Sequence, residues 1–153
     1  MILSCAIESK IFNSQAIVHP EVGANGMVVS QHYLATDVGH AILGSGGNAY
    51  DASIAVAFAL AVVLPRAGNI GGGGFMVMHD AALNKSFSID YREIAPATAT
   101  KDMYLNADGT VDKMRSRQGV LAIGVPGTVA GMWEIHKKFG SMPWDQLLSL
   151  IHI

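Results

Sequence analysis

The chain has 153 residues, 50% of them hydrophobic and 14% charged, which excludes a disordered sequence and suits one ordinary domain with a core, or part of one. A formal net charge of -2 without any basic run leaves no electrostatic footprint for nucleic acid or an anionic membrane surface, so neither is an expected partner. The single cysteine, Cys5, excludes an intramolecular disulfide framework and a cysteine-rich metal site.

Residues 1–25 read as a poorly ordered leader, polar and turn-rich around Pro20, Gly23 and Asn25. Its start, Met1-Ile2-Leu3-Ser4-Cys5, has the form of the end of a lipoprotein signal, but no basic segment or full apolar stretch precedes Cys5, so it reads as an ordinary frayed N-terminus. The folded part is expected from Gly26, with Gly26–Ser30 a short apolar run of strand type. Leu34, Val38, Ala41 and Ile42 recur at helical spacing and predict a first helix that stops at Gly44-Ser45-Gly46-Gly47. Asn48 then offers an N-cap with Asp51 three residues on, a variant capping box whose carboxylate also suits the positive end of the helix dipole. From Ile54 to Leu64 no face is polar, which predicts a second helix covered on all sides. It is shorter than the roughly 20 residues that span a bilayer. Pro65 ends it.

Four consecutive glycines follow, Gly71 to Gly74. A phosphate cradle of the P-loop kind needs Lys and Ser/Thr directly after the glycines and then a helix, and a dinucleotide site needs a following helix as well. Here Phe75-Met76-Val77-Met78 follows and reads as strand, so the flanks favour a tight backbone crossing where only glycine fits. A second strand, Phe87 to Arg92, is expected to form a hairpin with the first across a loop containing Asp80 and Asn84-Lys85. Its period of two sets Phe87, Ile89 and Tyr91 on one face and Ser88, Asp90 and Arg92 on the other, with Arg92 at the strand end. After a turn at Asp108-Gly109, Gly124-Val125-Pro126-Gly127 opens another helix with Val129, Met132, Trp133, His136 and Phe139 on one face, Lys137-Lys138 near its negative end, and Gly140 as its stop. A last amphipathic piece runs from Trp144 to Leu150. Helices and strands in this order define an α/β chain of the α+β kind.

Four strings in order carry a resemblance: Gly46-Gly47-Asn48-Ala49-Tyr50-Asp51-Ala52, Ala67-Gly68-Asn69-Ile70-Gly71-Gly72-Gly73-Gly74-Phe75-Met76, Asp90-Tyr91-Arg92-Glu93-Ile94-Ala95-Pro96-Ala97, and Gly124-Val125-Pro126-Gly127-Thr128-Val129-Ala130-Gly131. Together they resemble the N-terminal part of the large subunit of the gamma-glutamyltranspeptidase family. The resemblance covers roughly Gly26 to Leu148 and implies part of an N-terminal-nucleophile hydrolase, a four-layer αββα sandwich made as a precursor that cuts itself to expose a threonine. It implies transfer of a gamma-glutamyl group from glutathione or related amides to water or an amino acid. The remainder of the large subunit and the small subunit are the implied partners, and a periplasmic or extracellular location is the implied setting. The threonine, its cleavage junction and the glycine pair of the oxyanion hole fall in parts of the family pattern absent from these residues. Residues 26–153 are therefore expected to be a truncated portion without catalytic residues and without turnover alone. The closing Ser149-Leu150-Ile151-His152-Ile153 departs from the proline- and alanine-containing continuation of the family, as a truncated or mis-joined reading frame would.

One family site residue falls inside: the resemblance implies that Arg92 grips the α-carboxylate of the gamma-glutamyl moiety. A guanidinium presents a planar fork of donors that matches a carboxylate bidentately, whereas lysine offers a point charge. The plain alternative is a strand-end ion pair with Asp90 or Glu93. Gly71, Gly72, Gly73 and Gly74 are expected beside the substrate pocket, packing backbone against the core helix in a steric rather than catalytic role. Thr98, Thr100, Thr110 and Thr128 read as caps and turn residues, because a threonine nucleophile of this class needs a free α-amino group as its base. The six histidines show no metal-ligand spacing, so no metal and no cofactor is expected. Asn84-Lys85-Ser86 matches a glycosylation acceptor, relevant only to a eukaryotic secretory protein. Two other classes stand beside the transferase: a related amidase such as a beta-lactam acylase, which has less need of a carboxylate clamp, and a non-catalytic anion-binding module built on the glycine run.

Overall fold

A computed structural model describes residues 22–149. The leader reading, the lipoprotein-like start and the closing 150–153 fall outside these residues, apart from 22–25. Helix α1 covers Tyr33–Gly44 and α2 Ala49–Val63; strands β1 (Phe75–Asp80) and β2 (Lys85–Asp90) follow, then a short 3-10 turn Val120–Ala122, α3 (Thr128–Phe139) and α4 (Trp144–Ser149). The chain is thus mixed helix and strand, as expected.

Between α1 and α2 the predicted punctuation is present. Gly46 takes φ +91°, its N–H donates to Leu43 O and that of Gly47 to Ile42 O, so the last carbonyls of α1 are satisfied by a Schellman turn. Asn48 Oδ1 then accepts from the N–H groups of Tyr50 and Asp51 while Asp51 accepts from Asn48 N, which completes the capping box of α2. Leu64 caps the other end and Pro65 prevents a further turn. No helix among the described residues is long and apolar enough to cross a membrane.

The two helices cross closely at Gly39, where an added Cβ would stand 2.7 Å from Val28 Cγ1 and from Val56 Cγ2. Val28 belongs to the Gly26–Ser30 run, which is not a strand: no ladder partner exists for it among the described residues, and it lies as extended coil with Val28 turned inward and Met27 and Val29 outward. The alternation was legible, but pairing needs a neighbour that periodicity cannot supply. The expectation that α2 is covered on every side is met on one side only. Ile54, Ala55 and Ala59 are buried, whereas Val62 is exposed and Val56, Ala57 and Leu60 line an open groove of about 390 Å³ with Met27 and Val29.

β1 and β2 form the predicted antiparallel hairpin, in register from Phe75 opposite Asp90 to Asp80 opposite Lys85. Asp80 Oδ1 accepts from the N–H groups of Ala82 and Leu83, and Asn84 takes φ +49° to close the loop. The inner face carries Met76, Met78, Phe87 and Ile89, which pack on the core that α2 and α3 complete with Ile54, Ala59, Met132 and Ile135. Tyr91 continues that face, and Ser88, Asp90 and Arg92 point outward as the period of two requires. The strand itself ends at Asp90, two residues before the expected end at Arg92.

α3 begins after Gly127, carries His136, Lys137 and Lys138 in its last turn and stops at Gly140, as predicted. Its buried stripe is rotated from the one expected: Met132 is buried and Phe139 packs on the core as read, but Gly131 and Ile135 join them inside while Val129 and Trp133 are each 44% exposed. Trp133 sits at the rim instead, its ring 5.6 Å from His136 and 5.2 Å from Trp144 of α4. His136 Nε2–H donates to Met142 O at 2.8 Å, and Leu147 of α4 is fully buried. Trp144 thus joins Trp133 and His136 of α3 to Phe58 of α2, 5.7 Å away, and α4 packs against α2.

Candidate functional site

The stretch from Tyr91 to Ile94 leaves the end of β2 and runs between two glycine-containing segments. On one side the hairpin ladder continues past β1, Tyr91 N donating to Gly74 O at 2.9 Å. Beside that bond a Cβ on Gly73 would meet Tyr91 O at 2.6 Å, Arg92 Cα at 2.7 Å and Glu93 N at 2.8 Å. On the other side Ile94 and Val125 exchange hydrogen bonds of 3.2 and 2.9 Å, and a Cβ on Gly124 would stand 3.0 Å from Glu93 Cβ. Gly127 approaches the Tyr91 carbonyl and Gly131 the Tyr91 ring so closely that neither has room for a methyl group. The outer segments are joined in turn, because Gly72 O accepts from Gly127 N (2.9 Å) and Thr128 N (3.1 Å) at the start of α3. Three of the strings singled out in the sequence therefore meet at one place, around the Tyr91–Ile94 backbone that carries Arg92.

The glycine run works by absence of side chains. None of Gly71 to Gly74 has positive φ, so their requirement is close approach rather than a left-handed backbone. Their partner is also not the one expected: Gly72 and Gly73 lie against Tyr91–Glu93 and the start of α3, and it is Gly68 whose Cβ would meet α2, 2.9 Å from Leu60 Cβ. Gly72 O accepts from the N–H groups at the start of α3 and a strand follows the run, so the run does not open a helix whose N-terminus would cradle an anion.

Arg92 itself is held by its backbone and free at its tip. Its N–H donates to Asp90 Oδ1 at 2.9 Å, so Asp90 fixes the turn rather than pairing with the guanidinium. Among the described residues the charged neighbour of the side chain is Glu93, with Arg92 Nε 3.9 Å from Glu93 Oε2, too long for a hydrogen bond, and the Arg92 side chain is 64% exposed. The guanidinium carbon lies 5.8 Å from the centroid of the Phe75 ring. Its fork of donors thus remains available to a carboxylate. Its chain neighbours Tyr91 and Glu93, with Asn69, Gly72, Gly73 and Thr128, line a cleft of about 310 Å³ floored by Ala57 and Leu60 of α2 and Met132 of α3, whereas the Arg92 side chain lies outside that lining, toward Phe75. Burial pushes the Tyr91 hydroxyl above its usual range.

The four threonines do not gather here. Thr110 accepts and donates within the Asp108-Gly109 turn, Thr128 is the first residue of α3 and also faces the cleft, and Thr98 and Thr100 lie in the loop beyond Ile94. Sequence reasoning missed two features. Tyr91, read only as an inward face residue, is the post on which Gly74, Gly127 and Gly131 close. Asp51, read only as a capping residue, also accepts from Ser141 Oγ (2.5 Å), Ser141 N (3.1 Å) and Met142 N (3.4 Å), tying the start of α2 to the α3–α4 turn. A small polar residue in a turn 90 positions away carries no periodic signal.

The profile of the family described as Gamma-glutamyltranspeptidase matches residues 35–150. The chain belongs to the gamma-glutamyltranspeptidase family. It is 51% identical over 149 residues to a glutathione hydrolase proenzyme of Pseudomonas sp. (strain A14), covering 97% of this chain and 26% of that protein. Its fold is similar to the crystal structure of Helicobacter pylori gamma-glutamyltranspeptidase, with a TM-score of 0.82 and 47% identity over 87% of this chain and 38% of that one. A cephalosporin acylase from Bacillus halodurans is more distant, at 28% identity and a TM-score of 0.69, covering 92% of this chain and 26% of the acylase. The chain spans about a quarter of the length of the curated relatives it matches, 22–26% for the first three.

Proposed function

We propose that these residues supply the α-carboxylate clamp of a gamma-glutamyl transferase and glutathione hydrolase, with Arg92 as the substrate-gripping residue. The observation that carries this is the convergence of three separate sequence strings on the Tyr91–Ile94 backbone, within which the Arg92 N–H is fixed by Asp90 while its guanidinium stays exposed and only loosely paired. In this reading a gamma-glutamyl amide such as glutathione places its α-carboxylate on the Arg92 fork, and its scissile amide reaches toward a threonine nucleophile that is not one of these residues. The amide C–N bond breaks as the threonine hydroxyl oxygen takes the gamma-glutamyl group and its proton goes to the departing amine, and the resulting ester is then cleaved by water or an amino acid, which returns the threonine hydroxyl. The remainder of the large subunit and the small subunit complete the site after the precursor cuts itself. Val77, 82% exposed at the middle of β1, leaves an apolar position on the outer face of the hairpin. That face is where we place the second sheet of a four-layer αββα sandwich. Gly71 to Gly74 keep the wall beside Arg92 thin and take no part in the chemistry.

The test is Arg92→Lys in the complete gene product. Losing a bidentate, charge-assisted contact raises KM for a gamma-glutamyl amide about tenfold or more, while the unfolding midpoint stays in place. An unchanged KM with a collapsed midpoint would make Arg92 structural. The likeness to an acylase supports a related amidase as the second reading, and equal turnover of gamma-glutamyl amides and amides of uncharged acyl groups would favour it.

A further inference from the structure

We infer that Phe75 is a positioning residue for Arg92, holding the guanidinium over its ring so that the donor fork meets a substrate carboxylate already oriented. The inference rests on the carboxylate-clamp reading of Arg92. Its basis is the hairpin register. Phe75 stands directly opposite Asp90, and Arg92, two residues on and on the same outward face, is its diagonal neighbour, the spacing at which a long side chain reaches an aromatic ring. The guanidinium carbon accordingly lies 5.8 Å from the ring centroid, within cation–π range. The four residues before Phe75 are glycines, so Phe75 is the first residue of this segment with a side chain to set beside Arg92 on that edge.

The chemistry of the two neighbours separates their roles. A carboxylate close to the guanidinium would accept its N–H hydrogens and compete with substrate, and Glu93 stands off at 3.9 Å. An aromatic face attracts the cation while leaving those hydrogens free. Restricting the rotamers of Arg92 before substrate arrives lowers the ordering cost of binding, so the benefit falls on KM.

The experiment is steady-state kinetics of the complete gene product with a chromogenic gamma-glutamyl amide, comparing Phe75→Leu, Phe75→Tyr and Arg92→Lys. Phe75→Leu is expected to raise KM about threefold with kcat within about twofold, the size of one exposed cation–π contact. Phe75→Tyr, which keeps the ring, should restore the wild-type KM, and Phe75→Met serves as the ring-free variant if the leucine protein does not fold. In an Arg92→Lys background the step from Phe75 to Leu should shrink, because the two residues act as a unit. The inference falls if Phe75→Leu leaves KM unchanged, or if Leu and Tyr impair KM and kcat alike, which is the signature of a packing role. If Arg92→Lys raises KM and Phe75→Leu does not, the positioning role alone fails. If Arg92→Lys is silent as well, the clamp reading fails with it.

Discussion

Asp51 is the residue whose replacement tests the packing argument most directly. Fully buried, it accepts from Asn48 N at 3.0 Å within its own helix cap and from Ser141 Oγ, Ser141 N and Met142 N across the fold. Replacing it with asparagine removes the charge and one of the two acceptor oxygens, and turns an NH2 group toward backbone donors. The cap contributes about 1 kcal/mol, and the charge-assisted bonds from Ser141 and Met142 about 2 kcal/mol more. Asp51→Asn should therefore cost about 3 kcal/mol. Urea unfolding of the complete protein followed by tryptophan fluorescence is the assay, since Trp144 lies just beyond the tied turn and Trp133 packs on it. Ser141→Ala should cost about 1 kcal/mol on its own and nothing further in an Asp51→Ala background, because the hydroxyl has lost its acceptor. Burial pushes the Asp51 carboxyl up, but the Ser141 hydroxyl and the backbone N–H groups of Asn48, Ser141 and Met142 outweigh it and hold the group below 3.8. A depressed folded value means the stabilisation is complete above 3.8 and fades as pH falls through the folded value. That acid limb should be weaker in Asp51→Asn. A cost within about 0.5 kcal/mol of wild type, or full additivity with Ser141→Ala, would refute the reasoning.

Gly73→Ala should destabilise by about 2 kcal/mol or more and raise KM, since the new methyl group would meet backbone atoms of Tyr91, Arg92 and Glu93 within 2.8 Å, and backbone cannot swing aside as a side chain can. Gly71→Ala, where the nearest atom is the Asn69 side chain at 3.5 Å, should be nearly silent, and scanning calorimetry of the two variants beside the parent protein checks both. Ile135→Ala should cost about 2–5 kcal/mol by urea unfolding, because Ile135 is fully buried beneath the hairpin; Val129→Ala on the exposed side of α3 should cost far less, and the reverse order would restore the stripe read from periodicity. The Glu134 carboxyl, bridged by Lys137 at 2.7 Å and Lys138 at 2.9 Å, should titrate at about 2 in an NMR pH series, and Glu134→Gln should leave the folded protein intact.

Local rules were enough for much of the fold. The Schellman glycine, the Asn48–Asp51 box, Pro65, the hairpin and the Gly127 and Gly140 bounds of α3 each depend on residues within a few positions of one another, and so are written in short strings. The candidate clamp residue was also legible, because Arg92 occurs within a string whose resemblance does not depend on knowing its neighbours in space. Which face of α3 is buried was not, since Trp133 and Ile135 are both apolar and only the position of Trp144 and the hairpin decides between them. The Gly26–Ser30 run shows the same limit, its alternation being intrinsic to the chain while a ladder needs a second strand. The clasp around Tyr91–Ile94 was likewise decided only in three dimensions: each glycine string is locally permissive, and what makes a glycine necessary is the backbone or ring that arrives beside it from another part of the chain. Sequence alone determined the turns, caps and periodicities, because their energies are local; tertiary structure decided burial, partners and the surroundings of Arg92, because those energies depend on segments that only folding brings together.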